Sequence, residues 1–256
     1  MPQSAPPAPD LGVDDPQLWL GPSRLIDLED PKLRLRVHSL TQLCKNDREK
    51  AIAIYGFVKR LPLARRFKAR PQTAREVFDF GSGDAPEKAT LLVAMLRIAR
   101  LPARMRYVML SGEILRGIAA GMTQAARPIV EICLNERWLR TDTYIFDPAC
   151  MAAARQRLRD RGWEWGYGIH VNGHMLWNGH EDAFLGGVPS ECDLMVVGQL
   201  GVYHDPAQYQ RSRPTRRHSR LRALYWNMVA PLVDGAYRSL RNEPERPPRT
   251  SSSRIS

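Results

Sequence analysis

The sequence predicts an α+β fold, and three observations carry that expectation. Through the first hundred residues, side chains suited to helix N-caps repeatedly precede apolar residues at helical spacing. After Pro102 the apolar period changes from helical to alternating. Further on, two β-rich runs meet at Asn135-Glu136, the pattern of a hairpin.

Taken in order, Asp30-Pro31 supplies an N-cap and first helical position for a helix running towards Cys44, with Leu33, Val37, Leu40 and Cys44 as its stripe. Leu33, Leu35 and Val37 also alternate with Arg34 and Arg36, which leaves a short strand open at that start. Asn46 and Glu49 form a capping-box pair before a helix that aligns Ala51, Ile54, Tyr55 and Val58. Thr73 and Glu76 repeat the pattern for a short helix to Phe80. Asp84 and Glu87 do so again, with Pro86 in the first turn and Leu91, Leu92, Met95, Leu96 and Ile98 as a broad apolar face. Met105, Tyr107 and Met109 alternate with Arg104, Arg106 and Val108, which predicts a strand. Glu113 to Ala120 is expected to be a short helix closed by Gly121. Ile129–Leu134 and Trp138–Thr143 are the hairpin strands, and Ala149–Arg161 is a helix with Gly162 just past its end. Trp163 to Gly187 is aromatic and Gly-rich without a clear period, so loop with short strands is expected, and Asp193 to Val197 is the last core strand. No internal repeat is present.

At 256 residues and 43% hydrophobic, the chain can build one substantial core. No apolar run approaches the roughly 20 residues of a spanning helix. Met1 to Gln17 is rich in Pro, Ala and Asp, lacks a basic start and an apolar stretch, and is expected to be disordered rather than a secretory signal. The four cysteines (Cys44, Cys133, Cys150 and Cys192) show no Cys-x-x-Cys spacing, so they are expected to be reduced, mostly buried small apolar residues. A cytoplasmic location follows from these features. The net charge of +11 is uneven, acidic over the first thirty residues and basic after Gly201, and does not by itself point to nucleic acid.

The most informative stretch runs from Gly83-Asp84-Ala85-Pro86-Glu87-Lys88-Ala89 through Leu96-Arg97 to Leu101-Pro102-Ala103-Arg104. It resembles the nucleophile helix of the transglutaminase-like superfamily, whose members share the papain-like thiol-enzyme fold. There the pattern is Gly-Asp-Cys, three residues, Ala or Ser, then an apolar helix ending in Arg, Gly-Ile-Pro-Ala-Arg. Each element has a counterpart except the cysteine, whose position holds Ala85. The first turn of a helix lowers a thiol's pKa through the macrodipole and free N–H groups, which suits a nucleophile there. Alanine has nothing to ionise.

The resemblance spans Leu25 to Pro206 and implies a papain-like core, with the helices and the nucleophile-type helix packed on a mostly antiparallel sheet. It also implies a Cys-His-Asp triad. In the family the histidine opens a His-Ala-Trp-Val-Glu-Val strand, followed by a turn, a Trp and the aspartate. The matching stretch here is Arg127-Pro128-Ile129-Val130-Glu131-Ile132, then Trp138, then Asp142. The aspartate is retained, and Arg127 stands at the histidine position. A guanidinium stays protonated near neutral pH and cannot serve as a base. No His lies between Leu101 and Tyr167 to replace it.

The resemblance therefore implies a non-catalytic relative, with degenerate triad positions Ala85, Arg127 and Asp142, that binds a peptide, small anion or protein partner in the former cleft. Ser82, Gly83, Asp84, Arg127, Asp142 and Trp138 are the candidate binding residues. A helix N-terminus behind Gly81-Ser82-Gly83 and faced by Arg127 would suit an anion, whereas Arg127 paired with Asp142 or Asp84 would only fill space. The alternative is an active cysteine-type acyl transferase or peptidase with a displaced nucleophile, for which Ser82, Cys133 and Cys150 are candidates. His170, His174 and His180 form a loose group with Glu181 and Asp182; Gly173 and Gly179 break the helix a metal pair needs, so a loop cluster lining the cleft is expected, with Trp163, Trp165 and Trp177 nearby. No metal or cofactor is expected.

Three regions are expected: a disordered segment over 1–22, the transglutaminase-like domain over 23–206, and a basic C-terminal segment over 207–256. The last contains Arg211, Arg213, Arg216, Arg217, Arg220 and Arg222, followed by Leu224, Tyr225, Met228, Val229, Leu232 and Val233, interrupted by Pro231. Such a segment can be a linker with a docked helix, or an adaptor for an anionic membrane surface or nucleic acid.

Overall fold

The computed structural model describes residues 14–119, 121–212, 228 and 230–242. Four helices come first, α1 (Pro31–Thr41), α2 (Asp47–Arg60), α3 (Ala74–Phe80) and α4 (Ala85–Ile98), after a single 3₁₀ turn at Pro16–Trp19. They lead into β1 (Ala103–Ser111), β2 (Gln124–Leu134) and β3 (Arg137–Thr141), then α5 (Pro148–Arg161). The short pair β4 (Trp165–Gly166) and β5 (Ile169–His170) precedes β6 (Val196–Tyr203), α6 (Pro206–Ser212) and α7 (Ala230–Asn242). The main sheet has the order β3-β2-β1-β6 and is antiparallel throughout. The fold is α+β, as the sequence predicts.

Local chemistry explains most element starts. The side chains of Asp30, Asn46, Thr73, Asp84 and Asp147 each accept a backbone N–H from the first turn of the helix that follows. Reciprocal capping boxes are complete at Thr73/Glu76 and Asp84/Glu87. At the second helix Glu49 instead accepts the N–H of Lys45, one residue before the cap. The Asp30 cap settles the 33–37 stretch as helix, and that helix stops at Thr41, short of Cys44.

α4 is the centre of the molecule. Every residue from Glu87 to Arg97 is buried, so the helix packs on all sides rather than along one stripe. Its two cations are satisfied by backbone. Lys88 donates to the carbonyls of Lys59, Leu61 and Ile145, and Arg97 donates to those of Ala103 and Gly21. Lys59 does likewise, reaching Thr143 O and Phe146 O at 2.8 Å each. Burial lowers the Lys59 pKa to about 8, against the pull of Asp147. Between about pH 8 and 10.5 the unfolded side chain therefore still holds a proton that the folded one has lost. Wild type should gain stability over Lys59→Met across that window as pH rises, by up to about 3 kcal/mol. Urea midpoints measured from pH 7 to 10.5 check this; parallel curves for the two proteins would refute it.

Two expectations are corrected. Residues 113–119 do not form an α-helix; a 3₁₀ turn at Gly112–Leu115 replaces it. Gly112 lies so close to the Met122 backbone that an added Cβ would meet its carbonyl oxygen at 1.6 Å, and Gly117 takes φ 87°, so the segment is a tight loop. The last strand is Val196–Tyr203, not 193–197, because Asp193 accepts the N–H groups of Met195 and Val196 and turns the chain first. The apolar stretch expected to be interrupted by Pro231 lies largely outside the described residues; Pro231 itself lies within α7.

The helix beyond the boundary expected at residue 206 packs on α5 and joins the core through Leu240, and it also buries Ala230 and Val233. Arg211 closes α6. Arg213, Arg216, Arg217, Arg220, Arg222, Leu224, Tyr225 and Val229 lie outside the described residues, as do most of the segment expected to be disordered at the N-terminus and everything after Asn242. Among the described residues, no helix is long and apolar enough to cross a membrane.

Candidate functional site

The turn before α4 is tightly held. Gly81 caps α3 in the left-handed conformation at φ 64°. Gly83 exchanges backbone hydrogen bonds with the Pro62–Ala64 segment, and Arg66 donates to both the hydroxyl and the carbonyl of Ser82. Asp84 then caps the helix, and Ala85 is its first residue. The Asp84 carboxylate also receives Arg65 at 2.5 Å and Lys68 at 2.6 Å, while Lys68 reaches Glu87 at 3.0 Å. Burial alone would raise the Asp84 pKa, but Lys68 and Arg65 outweigh it and hold the carboxyl below its usual range. Glu87 goes the other way, pushed up by burial and by neighbouring Asp84.

Across from this turn, β2 carries Arg127 and the segment just past β3 carries Asp142. Arg127 donates to Asp142 Oδ2 at 3.1 Å and to the Gly168 carbonyl at 2.5 Å. The other oxygen of Asp142 accepts the Leu185 N–H at 2.7 Å. Both side chains are buried. Burial raises the Asp142 pKa in spite of Arg127. Gly168 has φ 85°, and a Cβ there would come within 2.8 Å of the Phe146 ring, so the close approach of its carbonyl needs glycine.

Ala85 and Arg127 meet at one cavity of about 370 Å³, whose wall also includes Asp84, Glu87, Arg65 and Lys68. Asp142 stands behind Arg127 rather than in the wall. Ile114, Leu115 and Phe146 give the cavity an apolar side, and Tyr209 of α6 with Val233 and Tyr237 of α7 close it. Tyr107 stacks on Tyr209 at 4.0 Å, and its buried hydroxyl has no hydrogen-bond partner among the described residues. Burial pushes its pKa well above the usual phenol value.

Several candidate residues lie elsewhere. Ser82 and Gly83 are consumed in the turn, and Trp138 stacks on Arg104 at 4.0 Å while its indole donates to Asp14 O. None of His170, His174 and His180 lines the cavity, nor do Trp163, Trp165 and Trp177. His170 packs on Trp165, and His174 Nδ1 accepts the Phe184 N–H, so these histidines shape their own loop. Among the described residues, no group of three or more His, Cys, Asp or Glu is placed to hold a metal. The four cysteines are free, and none lines the cavity. Only Cys133 and Cys150 are buried; Cys44 is half-buried and Cys192 exposed, so the expectation of mostly buried thiols holds for two. Burial raises both buried thiols, Cys150 to about 12, which is the reverse of activation. Arg65, Lys68, Tyr107, Tyr209 and Tyr237 were not picked out from the sequence. The run of cations between Arg65 and Arg70 was the available signal for the first two.

Residues 35–143, which include Ala85, Arg127 and Asp142, match the family model of the transglutaminase-like superfamily core. A solved structure, the "Putative Cysteine Protease from Cytophaga hutchinsonii", is similar over 52% of this chain and 43% of its own length, at 18% identity and a TM-score of 0.41. The similarity thus spans less than half of that protein. No curated protein matches the chain.

Proposed function

We propose, from the match of residues 35–143 to the transglutaminase-like family model, that the protein is a non-catalytic member of this fold that binds a peptide, small anion or protein partner in the former active-site cleft. One observation carries the reading: where an acyl-transfer site needs a thiol and a base, the cavity presents a methyl group and a guanidinium already engaged by Asp142 and Gly168 O. An aspartate that would orient an imidazole here holds a permanent cation instead. The result is a charged wall beside an apolar one, the composition of a binding pocket. A displaced cysteine nucleophile is disfavoured by the same geometry, because no thiol faces the cavity and Cys150 is held neutral.

The test is direct. The full chain, incubated with p-nitrophenyl acetate, peptide amides and amine donors, should show no turnover above that of its heat-denatured form. Turnover abolished by iodoacetamide and by one cysteine substitution would overturn the reading. In parallel, acetate titration should shift the NMR signals of groups around Ala85 in wild type but not in Arg127→Ala; identical weak shifts in both would remove Arg127 from any anion site.

A further inference from the structure

We propose that the cleft beside Ala85 is a helix-binding groove, and that its resident ligand is the chain's own α7. This rests on reading the cavity as a binding site, and it names the class of ligand: an amphipathic helix rather than an extended peptide.

The contacts of α7 form one stripe. Ala230, Val233, Asp234, Tyr237, Leu240 and Arg241 follow the spacing i, i+3, i+4, i+7, i+10 and i+11. Val233 and Tyr237 project into the cavity wall shared with Ala85, and the Tyr237 ring meets Phe146 edge-on at 6.2 Å. Asp234 accepts the Arg65 N–H at 3.0 Å. Arg241 donates to Asp147 Oδ2 at 3.0 Å and to the Leu63 carbonyl. The other face stays in solvent, with Leu232 74% exposed and Arg238 reaching back to Asp234 at 2.6 Å.

Two features mark α7 as a ligand seated on a finished surface. The segments it touches are already fixed without it: Leu63 N donates to Asp147 Oδ2 at 2.9 Å, Leu63 bridges Gly83, and Asp147 caps α5. Its stripe is apolar at Ala230, Val233, Tyr237 and Leu240, flanked by the polar anchors of Asp234 and Arg241 to backbone and carboxylate. That is the anatomy of helix-in-groove recognition. Tethering gives such a segment an effective concentration near the millimolar range, so it occupies the groove whenever no stronger competitor is present. A partner helix carrying an aliphatic residue, an acid next to it, an aromatic at i+4 and an arginine at i+8 would present the same anchors.

The experiment uses full-length protein and a fluorescein-labelled peptide of residues 228–242. Wild type, with its groove covered by α7, should bind the peptide weakly. The variant Tyr237→Ala/Arg241→Ala should bind it at least about tenfold more tightly, since its own helix no longer competes. A peptide carrying the same two substitutions should bind neither. Equal affinity for wild type and a folded variant overturns the proposal. So does a variant that fails to fold, because α7 would then be part of the core. Hydrogen exchange on wild type gives an independent readout: α7 amides should exchange through an opening that leaves β1 and β2 protected, and joint exchange of all three refutes a separable helix. Acetate titration and turnover report on the cavity, whereas peptide exchange reports on the helix, so failure of either idea is read separately.

Discussion

Replacing Arg127 by methionine should cost the fold about 3–5 kcal/mol, because it leaves the Asp142 carboxylate buried with only the Leu185 N–H as partner. The deficit should be greatest at neutral pH. Burial already raises the Asp142 pKa while Arg127 is present, and removing the cation raises it further. A carboxyl whose folded pKa lies above the unfolded one favours folding when protonated and loses that advantage as pH rises through the folded pKa. Urea midpoints at pH 7 and pH 5 should therefore show the variant recovering on the acid side relative to wild type. Adding Asp142→Asn should restore much of the loss at pH 7, since no buried charge then remains unpaired. Equal deficits for the single and double variants at both pH values would mean that the pair is not coupled.

The second large effect concerns chemistry. In Ala85→Cys the new thiol sits in the first turn of α4, facing the cavity that Arg127 lines. Helix terminus and guanidinium both favour a thiolate, so p-nitrophenyl acetate should acylate it in a burst of about one equivalent. Arg127 cannot activate a water molecule, and the acyl group should stay in place. Ala85→Cys/Arg127→His adds an imidazole within the reach of Asp142, and the burst should be followed by steady release about 10²–10⁴-fold faster than from the single variant. Mass spectrometry of the acylated chain and stopped-flow release of p-nitrophenol measure the two phases. If the double variant acylates and stalls like the single one, more than two side chains separate this scaffold from catalysis.

The features legible in the sequence were those whose information is local. Asp30, Asn46, Thr73, Asp84 and Asp147 announce helices because a cap and its partner lie within one turn. The pairing of Arg127 with Asp142 was one of the arrangements open from their spacing around the hairpin, since β2 and β3 pair in register from Val130↔Thr141 to Leu134↔Arg137. Trp138 was misplaced because strand parity ends at Thr141, so its face says nothing about where Asp142 turns. The strand 196–203 was hidden by Gly198 and Gly201, which break the alternation and mark the irregular register against β1. The cavity wall was illegible for a different reason. Tyr209, Val233 and Tyr237 reach Ala85 across more than a hundred residues, and no periodicity within a segment encodes such a meeting.

The Asp147 carboxylate joins two distant stretches to its own helix: it accepts Leu63 N, caps α5 at Cys150 N and grips Arg241. Only the last of these must wait for residues beyond 212 to be made. Between Ser212 and Asn242 lie about thirty residues, which a ribosome adds in about 2 to 6 s. For that interval the other described walls of the groove have been synthesised while α7 has not, so α7 is the last of those walls to be made. On the proposed reading, a guest enclosed beneath Tyr237 has to arrive before α7 docks.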